Sequence, residues 1–192
     1  LDDRKQWLSS IVSELASISN SEGVPRWLIL VEPGSKQASR ELLELRDFLR
    51  LQNDLKVWLP CLSDRRCGAL AKEGDWCHEE AECEFPSWHS ELGALAGLRK
   101  EAVLFSYLVC SVGTPLQAPL HWPSDGHRMV SQRLEEKGLV QCFLCSSTGK
   151  NRARVLRSRK TSENERFLES RRGQIFSKIE FVTFAPSSSP IQ

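Results

Sequence analysis

The sequence predicts an α/β protein built on a doubly wound sheet, and three observations predict it. Apolar periodicity alternates helix, strand, helix, strand through residues 2–59. Two continuous apolar runs, Trp27-Leu28-Ile29-Leu30-Val31 and Val103 through Val109, have the composition of strands covered on both faces of a parallel sheet. The chain has 192 residues with 40% hydrophobic content, enough for a sizeable core.

The first helix is expected over 2–18, with Trp7, Leu8, Ile11, Val12, Leu15 and Ile18 on one face and Asp2 or Asp3 at its start. The loop 19–26 leads into the strand 27–31, which stops at Glu32-Pro33-Gly34, where Ser35 is placed to cap the next helix. That helix, about 36–52, points Ala38, Leu42, Leu45 and Leu49 inward and Lys36, Arg40, Glu44 and Arg50 outward. Leu55–Leu59 is the next strand. The segment 60–86 has little periodicity. A helix over 88–98 carries Trp88, Leu92, Leu95 and Leu98 on one face, and 113–127 is a Pro-rich loop.

The C-terminal third reads as β-rich. Arg128–Leu134 and Leu139–Ser146 flank Glu135-Glu136-Lys137-Gly138, which has hairpin-turn composition. Arg152–Ser158 is a basic strand. Ser162 with Glu165 forms a capping box for a helix to Arg172, Gly173 stops it, and Ile175–Phe184 is a last strand. These elements divide the chain into an α/β part, 1–112, that contains the insertion 60–86, a β-rich extension, 113–184, and a Ser/Pro tail, 185–192, expected to be disordered.

Composition narrows the function classes. The net charge of +1 supplies no global field toward nucleic acid or membrane, so any nucleic-acid surface is local. The longest apolar stretch, near Ala102–Cys110, is too short to span a bilayer. Seven cysteines, an odd number in a chain of this size, fit a reducing compartment better than a disulfide framework. The chain begins without Met and runs at once into a helix, as an excised piece of a longer protein would.

Cys61, Cys67 and Cys77 fall in the aperiodic segment, beside Gly and charged residues rather than in an apolar run. Soft thiolates gathered in loop sequence are the donor set of zinc and iron–sulfur centres. A fourth donor would come from Cys83, Cys110, Cys142 or Cys145. Cys110 and Cys142 lie on strand faces with core composition, whereas Cys145 points the other way at a strand end. Zinc held by three cysteines and His78 is an alternative on spacing, and scattered buried thiols are the bland one.

Four segments carry a resemblance. Leu28 through Ser35 resembles a strand ending in Val-Glu-Pro-Gly-Thr. Leu59-Pro60-Cys61 through Cys67 resembles an Ala-Pro-Cys…Cys-Pro segment. Asp75-Trp76-Cys77-His78 resembles Trp-Cys-His, and Phe105-Ser106-Tyr107 matches Phe-Ser-Tyr. Weaker likeness runs through Gly138–Gly149 and Arg157–Lys160. Over most of 5–172 the chain resembles the methyltransferase-like assembly factors of the small ribosomal subunit, the Rsm-type proteins of bacteria and mitochondria. The resemblance implies the C-terminal portion of a class I, Rossmann-like S-adenosylmethionine methyltransferase fold. It implies a [4Fe–4S] cluster on Cys61, Cys67, Cys77 and Cys145, rather than zinc, and it selects Cys145 over Cys83. It also implies a role in ribosome assembly or translation, by binding the small subunit or its rRNA, in the mitochondrial matrix or a bacterial-type cytoplasm.

The chain departs from that family in four places. The spacing from Cys67 to Cys77 is longer than usual, Glu135-Glu136 is acidic where the hairpin is usually basic, Thr148 replaces a turn Asp, and the glycine-rich loop that would hold S-adenosylmethionine is missing. S-adenosylmethionine binding, and an active RNA or protein methyltransferase, would therefore need an N-terminal half, itself a possible partner of this segment. A zinc-stapled interaction module without catalysis is the other alternative, and no catalytic residue is assigned. Glu32, at a strand's carboxyl end beside the expected cofactor crevice, either orients a ligand there or caps the following helix. Lys150, Arg152, Arg154, Arg157, Arg159 and Lys160 line one strand and its turn, as an RNA-phosphate face or as a charged, solvated edge.

Overall fold

The computed structural model of the chain describes residues 2–97, 102–113, 126–159, 161–177 and 183–184. Helix α1 (Asp2–Glu22), strand β1 (Arg26–Pro33), helix α2 (Lys36–Leu49) and strand β2 (Leu55–Leu59) follow the expected order. Ser35 caps α2, its hydroxyl accepting from the Ala38 N–H. The aperiodic segment contains a 3₁₀ turn, Gly68–Ala71, and a strand with no apolar signature, β3 (Glu79–Glu82). Helix α3 (Ser87–Leu95) and strand β4 (Ala102–Val112) complete the first half.

The sheet is not the parallel one that the apolar runs suggested. Its order is β1-β4-β2, with β3 also on β4, and every pairing is antiparallel to β4. β1 and β2 thus run in one direction on either side of an inverted central strand. Among the described residues, only one face of β1 is covered. Leu28 and Leu30 pack under the helices, while Ile29 and Val31 are 62% and 64% exposed. A continuous apolar run cannot by itself say whether its second face is covered.

The core of this sheet joins Leu8, Val12 and Ala16 of α1, Leu42, Leu45 and Leu49 of α2, Leu55 and Val57 of β2, and Leu108, Cys110 and Val112 of β4. Trp7 and Ile18, expected on the inward face of α1, are exposed. Gly34 is required where the chain leaves β1. A Cβ there would stand 2.6 Å from the backbone carbon of Leu104, whose carbonyl accepts from the Gly34 N–H at 2.9 Å.

The second sheet is built from β5 (His127–Met129), β6 (Leu134–Glu136), β7 (Leu139–Ser146), β8 (Gly149–Leu156), β9 (Ile175–Phe176) and β10 (Thr183–Phe184). Its order is β10-β8-β7-β5-β9, with β6 on β7, again antiparallel throughout. The expected strand 128–134 is split into β5 and β6; of the expected strand Ile175–Phe184, β9 and β10 are described and 178–182 lie outside the described residues. Helix α4 (Ser162–Leu168) stops well before Arg172, and its cap is Thr161 boxed with Asn164, one residue before the Ser162–Glu165 box that the sequence suggested. Met129, Cys142, Leu144, Ala153 and Val155 form the inner face of this sheet with Phe167 of α4 and Phe176 of β9. The Pro-rich stretch 114–125, the tail 185–192 and Lys160 lie outside the described residues.

Candidate metal centre at the seam between the sheets

The aperiodic segment 60–82 lies between the two sheets, and α2 holds it. The Arg40 guanidinium, expected to face solvent, donates to the carbonyls of Ala69, Lys72 and Asp75 at 3.4, 2.8 and 2.7 Å. Arg46, only 2% exposed, donates to the carbonyls of Ser63 and Arg65 and to Asp47. Arg50 donates to the Asp64 carbonyl at 2.8 Å. Asp47 in turn accepts the Cys67 N–H at 3.1 Å on both carboxylate oxygens. Backbone that forms neither helix nor sheet must satisfy its polar groups elsewhere. Here three arginines of one helix do so.

The second sheet closes over the same segment. The Lys150 ammonium, on β8, pairs with Asp75. Arg128 of β5 pairs with Glu79 of β3, both deeply buried. Arg172 donates to the His78 carbonyl at 2.9 Å, and Ser106 of β4 donates to the Cys77 carbonyl at 2.9 Å. Gly68 permits the closest approach, because a Cβ there would stand 3.0 Å from the Lys150 backbone nitrogen.

These ties bring together Cys61 after β2, Cys67 before the 3₁₀ turn, Cys77 before β3 and Cys145 on β7, which sits opposite Arg128 in one register and Lys150 in the other. Every pairing among these four thiols is close enough for their charges to interact. Burial pushes the Cys67 thiol up to about 11, and the Cys61 charge adds to it. Burial pushes Cys77 and Cys145 up to about 12. The charge of Cys61 is part of both rises, and Arg128 opposes them. Arg46 acts against the rise at Cys67 and Cys145. Beside Cys77, the Trp76 indole Nε1 and the His78 Nδ1 are buried with no hydrogen-bond partner among the described residues. Among the described residues, no three His, Cys, Asp or Glu side chains stand close enough to hold one metal ion.

The remaining cysteines lie elsewhere, although the Cys61 charge also reaches Cys110. Cys110 is fully buried in the first core and Cys142 in the second. Cys83 is exposed.

Glu32 faces α1, where its carboxylate pairs with Arg4, which also reaches Glu41 at 3.1 Å. Lys150, Arg152 and Arg154 alternate along β8 onto the face that carries Cys145. Lys150 is spent on Asp75 and lies 5.1 Å from the centre of the Phe143 ring. Arg152 is exposed, 5.5 Å over the same ring, and Arg154 is half-buried. Arg157, past the end of β8, pairs with Glu135. Arg159 ends a short 3₁₀ turn.

Sequence reasoning missed Arg46, Asp47 and Arg128. One signal was available for Arg46. It falls in line with Leu42 and Leu49, at i, i+4 and i+7 of the buried stripe, where a cation has no place unless it has partners.

Fold and site together define a mixed α/β protein of two antiparallel sheets, joined by a cysteine-lined seam and carrying a basic strand. Residues 11–178 match a protein family described as "Mitochondrial small ribosomal subunit Rsm22". The chain belongs to the Rsm22 family, which relates it to the small subunit of the mitochondrial ribosome. No curated protein matches the chain. Among the described residues, no helix is long and apolar enough to cross a membrane.

Proposed function

We propose that the protein is an iron–sulfur-stapled factor acting on the small ribosomal subunit through its rRNA, with Cys61, Cys67, Cys77 and Cys145 as the ligands of a [4Fe–4S] cluster. The carrying observation is the mutual approach of these thiols from four separate places in the chain, while Cys83 is exposed and Cys110 and Cys142 are buried in the two cores. The donor set fits such a group. Cys67, Cys77 and Cys145, pushed toward their protonated form by burial, gain a strong reason to ionise when iron binds. The buried indole N–H of Trp76, unpartnered among the described residues, is a donor in want of an acceptor such as sulfur. The choice of iron–sulfur over zinc rests on the family resemblance.

Bound there, the cluster would supply thiolate–iron bonds that fasten the end of β2 and the approach to β3 to β7. No redox step is required. The class I methyltransferase reading rests on the resemblance. Since Glu32 is engaged by Arg4, the proposal assigns it no cofactor contact. Arg152 and Arg154 would face RNA phosphate, with Arg157, Arg159 and Lys160 continuing the basic run, whereas Lys150 serves the seam.

The reading is tested on protein prepared anaerobically. A brown protein with iron and sulfide, whose visible absorbance is lost in Cys61→Ser, is expected. A colourless, zinc-loaded protein would overturn the cluster. Co-sedimentation with purified small subunits should weaken with salt and with Arg152→Glu plus Arg154→Glu, because phosphate contacts release counterions. Binding that ignores both would overturn the rRNA contact.

A further inference from the structure

Helix α3 buries none of its residues. Trp88, Leu92 and Leu95, at i, i+4 and i+7, form one apolar stripe, yet they are 61%, 59% and 87% exposed. A nine-residue helix is short of the roughly 12–15 residues at which isolated helices become even marginal in water, so packing normally supports one of this length. Within the described residues that packing is missing. Phe85 stacks on His89 at 4.3 Å and steadies only the helix start.

The surroundings of this stripe are acidic. Residues 79–97 contain five glutamates and no lysine or arginine, in a chain whose net charge is +1. Glu79 is consumed by Arg128. Glu80, Glu82, Glu84 and Glu91 are all exposed, and the first three line a shallow hollow with Cys83 and Ala102. Among the described strands β3 pairs only with β4, so its outer edge is open.

We propose that α3 and the acidic rim of β3 form a docking surface for a basic protein segment that carries apolar side chains at helical spacing. Charge selects this occupant. Nucleic acid would set its phosphates against these carboxylates. A second copy docked face to face would set the same glutamates against one another. A cationic, amphipathic segment meets both the stripe and the rim. This surface uses neither Arg152 nor Arg154 and depends on neither the cluster nor the rRNA contact.

The test is a fluorescence-anisotropy titration of the whole chain with a labelled amphipathic peptide of lysine and leucine. Saturable binding is expected, weakened at least about tenfold by Leu92→Glu with Leu95→Glu, kept by Leu92→Met with Leu95→Met, and reduced by salt. Circular dichroism checks that the exposed substitutions leave the fold intact. The proposal is overturned if the wild type fails to bind the peptide or if the double glutamate variant binds it equally. It is also overturned if labelled oligouridylate is what the double variant loses. A wild-type self-association abolished by the same variant would overturn it too, by assigning the face to a second copy.

Discussion

The core under α1 and α2 and the seam between the sheets hold the same molecule together by opposite chemistry. The core is aliphatic, and its one thiol, Cys110, behaves there as a small hydrophobe. The seam has little regular structure. It is held by arginine forks on loop carbonyls and by Asp75–Lys150 and Glu79–Arg128, around four thiols close enough for their charges to interact. In the core a missing atom leaves a cavity. In the seam a missing partner leaves a buried polar group or charge without compensation, which is the dearer fault per atom.

The largest expected effect is in the core. Leu45→Ala, at a fully buried position, should cost about 2–5 kcal/mol. It should lower the urea midpoint with little change in slope.

Arg46→Met should cost about 1–3 kcal/mol by stranding the Ser63 and Arg65 carbonyls and Asp47. Arg46→Lys should restore little of this, because an ammonium lacks the planar fork. Full rescue by lysine would show that charge alone is at work. Breaking Asp75–Lys150 should cost about 1 kcal/mol, and a double-mutant cycle with Asp75→Asn and Lys150→Met should give a coupling energy of that order. A coupling near zero would remove Lys150 from the seam and return it to the basic face.

Thiol labelling draws the contrast without any mutation. In the native protein at neutral pH, exposed Cys83 should react first with iodoacetamide. Cys110 and Cys142, buried and pushed up to about 12 chiefly by burial, should stay unlabelled until the protein unfolds. A folded-state value raised above the unfolded one contributes stability at and below neutral pH. That contribution fades as pH rises past the unfolded thiol range. The smallest effect is expected on the surface, where Arg152→Glu should shift stability by no more than about 0.5 kcal/mol while weakening small-subunit binding.

The two regions were unequally legible in the sequence. Periodicity located α2 and β2 well, and the placing of Cys110 and Cys142 on core faces follows from strand alternation. Strand direction was not legible, since Trp27–Val31 has the same composition whether one face or both are covered. β3 escaped because Glu79-Glu80-Ala81-Glu82 has no apolar alternation and is held by pairing to β4. The stripe of α3 was correctly read as a face, but the sequence could not say that nothing in the described residues covers it. At the seam, spacing left the fourth thiol open among Cys83, Cys110, Cys142 and Cys145, and family resemblance chose Cys145. The arginines that gather the loop could not be paired in advance, because a carbonyl acceptor has no signature in sequence.

The contrast between Cys142 and Cys145, three residues apart on β7 and on opposite faces, offers the most direct test. Cys142→Ser and Cys145→Ser should be prepared anaerobically beside the wild type, and their iron, sulfide and visible absorbance measured. The account predicts that the wild type and Cys142→Ser carry iron and colour, the latter in a less stable fold, and that Cys145→Ser loses both. Iron and colour retained in Cys145→Ser would contradict the four-thiol centre.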